Sequence, residues 1–210
     1  MPLDRDKWIL EGIITTLDPR PPGASPITRV NIAPMGPIVD PSMGELLLRP
    51  FNTSTTFKNL KSTRQGVFHV TDDVLLLARA AIGRVMPDDE VKVRPADHVE
   101  GLVLTGACRY YELEVVEVDD RDQRTSVRAS VVARGRFRDF FGFNRARHAV
   151  VESAILTTRL HLTGVDHVRQ EFDRLQVIVE KTGSEREHQA MAELVAHVEA
   201  FALNQRVGDR

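Results

Sequence analysis

The sequence predicts an α+β protein, mainly β up to about residue 141 and helical over residues 142–210. Two patterns predict it. Over the first two thirds, short β-branched or alternating segments are broken every few residues by proline and glycine, which suits a barrel or sandwich. In the last third, apolar residues recur at helical spacing in three stripes. The expected organisation is a β domain over residues 1–141 and a C-terminal helical subdomain, residues 142–210, packed on it.

Residues 8–17 hold Trp8, Ile9, Ile13, Ile14, Thr15 and Thr16 and read as a strand, stopped by four prolines and a glycine within residues 18–26. A second strand over residues 28–33 is broken by Pro34, Gly36 and Pro37, and a third over residues 45–51 loses its pairing at Pro50. Asn52, Thr53, Ser54, Thr55 and Thr56 offer helix caps ahead of Phe57 and Leu60, so a helix starts just after a strand. Residues 66–70 are strand again. Asp72 and Asp73 then cap a helix over residues 74–82, which Gly83 closes.

Residues 108–118 and 125–137 form two strands around a polar turn at residues 119–123. Val127, Ala129, Val131 and Ala133 face one way, whereas Arg128, Ser130 and Val132 face the other. Past Gly142 the stripes are Val151, Ile155 and Leu162, then Val168, Phe172, Leu175 and Val179, and finally Met191, Leu194, Val195, Val198 and Phe201. Gly164 and Gly183 separate three helices.

Charge narrows the function. With 28 Lys and Arg against 30 Asp and Glu, no overall positive field exists to gather nucleic acid or an anionic membrane surface. No apolar run reaches the length of a bilayer span, and the first seven residues lack the apolar core of a signal peptide. The expected location is cytoplasmic. Cys108 is the sole cysteine and reads as a small buried hydrophobe. The seven histidines lack an HExxH or CxxC companion, and only His148 with Glu152 has helical i,i+4 spacing, so no metal site is expected. Asp88, Asp89 and Glu90 read as a solvated loop.

Three stretches carry chemistry. Arg49 ends a strand, a hydroxyl-rich turn follows, and a helix begins, so a guanidinium, hydroxyls and unpaired N–H groups converge as a phosphate requires. Ser54, Thr55 and Thr56 supply the hydroxyls; a well-capped helix with surplus threonines remains the other reading. Asn31, Ile32 and Ala33, followed by Pro34 and Gly36, give a strand end at which backbone can approach a flat ring, or an ordinary irregular strand end. Asn144 caps a helix whose first turn holds Arg145 and Arg147, cations that oppose the helix dipole unless an anion or an acidic partner neutralises them. A solvated basic face stays open as well.

Four stretches (residues 31–37, 48–51 with 54–56, 66–73, and 143–146 with Glu152) resemble an uncharacterised branch of the flavin reductase-like, FMN-binding split-barrel superfamily. They spread over roughly residues 8–160. The resemblance implies a split β-barrel homodimer with FMN in a groove at the subunit interface. By motif matching, Arg49, Ser54, Thr55 and Thr56 hold the phosphate, and Asn31, Ile32 and Ala33 border the isoalloxazine. Asn59 assists the phosphate or the ribityl chain, while Arg145 and Arg147 reach a site in either subunit.

No GxGxxG marks a separate nicotinamide domain, so an NAD(P)H or deazaflavin donor would stack directly on the flavin. The activity implied is a flavin-dependent oxidoreductase whose substrate the residues do not name; the alternative is a non-catalytic flavin- or nucleotide-binding dimeric module. Among side chains, His69 is the nearest candidate for acid–base work, against the reading of a satisfied strand histidine.

Overall fold

In a computed structural model, residues 6–19, 25–85 and 91–208 are described. The expected loop at Asp88, Asp89 and Glu90 and most of the expected proline-rich loop lie outside them. The chain divides into two compact units, residues 1–71 with 86–140 and residues 72–85 with 141–210.

The first unit is built on one antiparallel sheet. Its strands are β1 (Trp8–Ile9), β2 (Gly12–Leu17), β3 (Val30–Met35), β4 (Ile38–Val39), β5 (Glu45–Leu48), β6 (Gln65–Val70), β9 (Arg109–Asp119) and β10 (Ser126–Arg136). Their order is β1-β4-β5-β10-β9-β6-β2-β3, which leaves β1 and β3 as edges of a curled half-barrel. A small hairpin of β7 (Val93–Pro95) and β8 (Leu102–Leu104) stands apart.

Leu10 and Glu11 interrupt the single strand expected over residues 8–17. Gly12 opens β2 because a Cβ there would lie 2.3 Å from the carbonyl oxygen of His69 and 2.8 Å from the Phe68 ring. The strand expected from residue 28 begins instead at Val30, after a helical turn, α1 (Pro26–Arg29). It also runs through Pro34, where a break was expected. An edge strand has one unpaired side, so a missing N–H there costs no ladder bond.

One face of the sheet carries Ile14, Leu46, Leu48, Phe68, Tyr111, Leu113, Val127 and Ala129. Over them lies α2 (Thr55–Thr63), whose Phe57 and Leu60 join the same core. Burying each of those two side chains contributes roughly 1.5–3 kcal/mol. The other face buries Val67, Val99, Val103 and Tyr110.

The alternation expected along β10 holds through Val131 and then fails. A bulge at Val132 shifts the register, so Ala133 pairs with Glu112 on the opposite face and Arg134 stands beside Tyr111. Gly135 follows because the Tyr110 ring lies where its Cβ would be, 2.3 Å from the nearest ring atom.

The second unit is helical: α3 (Val74–Ala81), α4 (Arg145–Thr158), the short α5 (Leu160–Thr163), α6 (Val165–Thr182) and α7 (Glu185–Gly208). Asp73 caps α3 by accepting from the Leu76 N–H at 3.1 Å, and Asn144 caps α4 by accepting from that of Arg147 at 3.1 Å. The buried face of α4 is Ala146, Ala149, Val150, Ser153, Ala154 and Thr157. The expected stripe of Val151 and Ile155 flanks this face only half-buried, and Leu162 is exposed on α5. Small residues on α4 let α3, α6 and α7 approach closely. Val168, Phe172 and Val179 of α6 and Met191, Leu194 and Val198 of α7 fill the space between.

Candidate functional site

The connection from β5 to α2 is held firmly. Both the N–H and the hydroxyl of Thr125 donate to the Pro50 carbonyl, at 3.0 and 2.8 Å, and the Asn52 N–H donates to the Gln123 carbonyl at 2.9 Å. The Arg124 guanidinium lies over the Phe51 ring, 4.6 Å from its centroid. Ser54 then caps α2: its hydroxyl donates to the Phe51 carbonyl at 2.7 Å and accepts from the Phe57 N–H at 3.2 Å. The Ser54 carbonyl takes the Lys58 N–H. The N–H groups of Thr55 and Thr56 precede the first intrahelical acceptor and stay open at the positive end of the helix.

Arg49 directly follows β5 and is exposed, its side chain with no ion pair or hydrogen bond among the described residues. Thr55 is exposed as well, whereas Thr56 and Asn59 are buried one turn apart on the face of α2 that meets β2 and β3. There they join a polar network. The Asn31 amide donates to the Thr56 hydroxyl at 3.0 Å and to that of Thr16 at 3.4 Å, and the Asn59 amide donates to Thr16 at 3.1 Å. Thr16 and Asn31 stand directly opposite each other in the β2–β3 ladder, which fixes the spacing.

The network has capacity left over. Thr16 and Thr56 each retain a hydroxyl proton, and both amides retain their carbonyl oxygens, with no acceptor or donor for these among the described residues. Together with the second N–H of the Asn59 amide, five hydrogen-bonding groups, three donating and two accepting, are therefore free in a network that includes Thr56 and Asn59 of the helix that begins with the open N–H groups of Thr55 and Thr56. Chemically this suits a ligand with a hydroxylated chain ending in an oxyanion.

Of the residues singled out from sequence, Asn31, Thr56 and Asn59 are brought together by hydrogen bonds, with Ser54, Thr55 and Arg49 along the same turn. Ala33 shares the face of Asn31. Ile32 points to the opposite face and is buried, so only its main chain is on offer beside them. Thr16 was missed. Its signal was a pair of threonines closing an apolar strand, but only the ladder register shows that Thr16 meets Asn31.

Arg145 and Arg147 belong to the helical unit. Arg145 is exposed at the start of α4. Arg147 is engaged by acidic groups of its own unit: it meets Asp72 at 3.3 Å and Glu187 at 3.2 Å, and it lies 5.7 Å from the centroid of the Phe141 ring. The carboxylates neutralise the cation that opposes the dipole of α4, and the Asn144 cap satisfies the N–H of Arg147 itself.

His69 is fully buried in β6. The Leu104 N–H donates to its Nε2 at 3.0 Å, so the proton sits on Nδ1, which donates to the Ile13 carbonyl at 3.2 Å. Burial drives the imidazole down to about 3 from its ordinary 6.5. It is a neutral tie between β2, β6 and β8, with no proton to offer a substrate. Glu112 plays a comparable part: its fully buried carboxylate accepts from the N–H groups of Asp97, His98 and Val99 at 3.0, 2.7 and 3.2 Å. Cys108 is buried too. Among the described residues no cluster of three or more His, Cys, Asp or Glu is arranged to hold a metal ion, and no helix is long and apolar enough to cross a membrane.

The same fold occurs in an FMN-bound protein from Methanosarcina mazei assigned to the DUF447 model, at 22% identity and a TM-score of 0.73, over 90% of this chain and 94% of that one. Flavoredoxin from Methanosarcina acetivorans is similar over 65% of this chain and 74% of its own, at 9% identity and a TM-score of 0.47. An FMN-binding protein from Thermus thermophilus with bound 1-cyclohex-2-enone is similar over 62% and 72%, at 16% and 0.46. No curated protein matches the sequence. The likeness to the Methanosarcina mazei protein and the curled antiparallel sheet make the fold the split β-barrel with C-terminal helices that the sequence predicts. Residues 10–138 match the model of the N-terminal domain of the protein of unknown function DUF447, and residues 144–196 match the remaining DUF447 model. On those matches, which span most of its length, the chain belongs to the DUF447 family.

Proposed function

We propose that this protein binds FMN at the turn before α2 and works as a flavin-dependent oxidoreductase. The observation that carries the reading is the half-satisfied network of Asn31, Thr16, Thr56 and Asn59, beside the open N–H groups that begin α2, with Arg49 on the connection leading into that helix. A fold shared with an FMN-bound member of the family supports it. In this reading Arg49, Thr55 and Thr56 hold the phosphate, and the network holds the ribityl hydroxyls. Ser54 contributes by fixing the start of α2, since its hydroxyl is already committed on both sides. Asn31, Ala33 and the main chain of Ile32 border the ring.

Bound FMN supplies hydride and electron transfer; the residues of this chain bind and orient it. The network is made of amides and hydroxyls, which direct hydrogen bonds without taking up a proton near neutral pH. A homodimer with the flavin at the subunit interface, and NAD(P)H or a deazaflavin as the donor, complete the proposal. Arg145, exposed on α4, is then available to that interface.

A charge-assisted contact contributes on the order of 1.5–3 kcal/mol. Arg49→Ala is therefore expected to weaken FMN binding about tenfold or more while leaving riboflavin binding nearly unchanged, as read by quenching of flavin fluorescence. Equal losses for the two ligands would remove Arg49 from the phosphate site. Anaerobic mixing with NADH or NADPH tests the reaction: bleaching of bound flavin supports the oxidoreductase, and a loaded protein that no donor bleaches is a binding module.

A further inference from the structure

The bulge at Val132 places three arginines on one face of the sheet. Beyond it, Arg134 pairs with Tyr111 and Arg136 with Arg109. Tyr111 belongs to the core beneath α2, and Arg109 pairs on its other side with Val70, which packs against that core. Arg109, Arg134 and Arg136 therefore extend the same face, with Arg134 and Arg136 two residues apart on β10 and Arg109 opposite Arg136 on β9. The Arg134 guanidinium lies 6.0 Å from the centroid of the Tyr111 ring and donates to the Ser42 carbonyl at 3.4 Å. Gly135 keeps the strand against the Tyr110 ring on the opposite face.

This arrangement carries a cost. Like charges directly opposite in a ladder, roughly 5 Å apart at Cβ, are destabilising. Asp139 pairs with Arg136 but is itself 79% exposed, and Arg109 has no hydrogen bond or ion pair among the described residues. The cluster does not reflect a basic chain, because the net charge is -2.

We propose that Arg109, Arg134 and Arg136 form an anion site on this face of β9 and β10, separate from the turn before α2, which takes the phosphate or pyrophosphate group of a small-molecule ligand. Guanidinium forks match phosphate oxygens two at a time, and Arg109 and Arg136 stand directly opposite each other in the ladder. Neutralisation by the ligand removes the repulsion across the ladder. The site stands whether or not the turn before α2 holds a flavin.

Isothermal titration of the full chain with sodium pyrophosphate at low ionic strength, paired with thermal melting, tests it. Arg109→Gln and Arg136→Gln are each expected to weaken pyrophosphate binding about tenfold, and Arg128→Gln, elsewhere on β10 beside Glu45 and Glu117, is expected to leave this binding in place. Without added anion, Arg109→Gln should melt above the wild type at low salt, a difference that disappears at high salt. Wild-type affinity in both Gln variants would overturn the proposal. So would loss of binding in Arg49→Ala alone, which would locate the anion at the turn.

Discussion

A histidine whose ring nitrogens are both held by main-chain groups has no proton to lend, and His69 shows what that means for stability. Its folded pKa of about 3 lies below the 6.5 of an unconstrained imidazole. Between those values the unfolded chain binds a proton that the folded chain refuses, so stability rises with pH across the window and falls on acidification below about 6.5. The slope from this group is at most about 1.4 kcal/mol per pH unit. Urea midpoints measured from pH 7 to pH 4.5 are expected to fall more steeply for the wild type than for His69→Gln. Parallel slopes would show that the imidazole is protonated in the folded state. Sequence marked His69 as a residue of interest because histidine titrates near neutrality, but its partners at Ile13 and Leu104 lie 56 and 35 residues away. Glu112 was invisible for the same reason, since its three donors come from a loop whose position no local pattern specifies.

At the scale of the element, local chemistry was legible wherever it acted over a few residues. Ser54, Asp73 and Asn144 cap the helices they precede, and short strands with breakers gave the half-barrel. What failed depended on pairing partners. The β10 alternation breaks at Val132 because of a bulge against β9, and Pro34 survives inside β3 because β3 is an edge. On α4 the core face consists of alanines, serine and threonine, which a search for large apolar residues passes over. Ser54 separates the capping reading from direct phosphate contact. Ser54→Ala is expected to destabilise the flavin-free protein by about 1 kcal/mol, the usual value of a lost cap, with a lower midpoint in chemical denaturation. An unchanged midpoint would mean that the cap contributes nothing and that the hydroxyl is held for a ligand.

At the scale of the whole molecule, the sequence indicated a β portion and a helical portion, and the helix α3 shows where that resolution ends. Its periodicity says that one face is buried, without saying against what; Val74, Leu75 and Leu77 pack with the C-terminal helices although α3 interrupts the chain between β6 and β7. The candidate site was legible as a turn with the right residue types, and the fold supplied the register that joins Asn31, Thr16, Thr56 and Asn59. The central claim is that this register serves FMN. Its most direct test is the visible spectrum of the purified protein, before and after titration with FMN, with mass spectrometry of whatever denaturation releases. A flavin spectrum, native or reconstituted at one FMN per chain, is the predicted result. A colourless protein that takes up no added FMN would contradict the account.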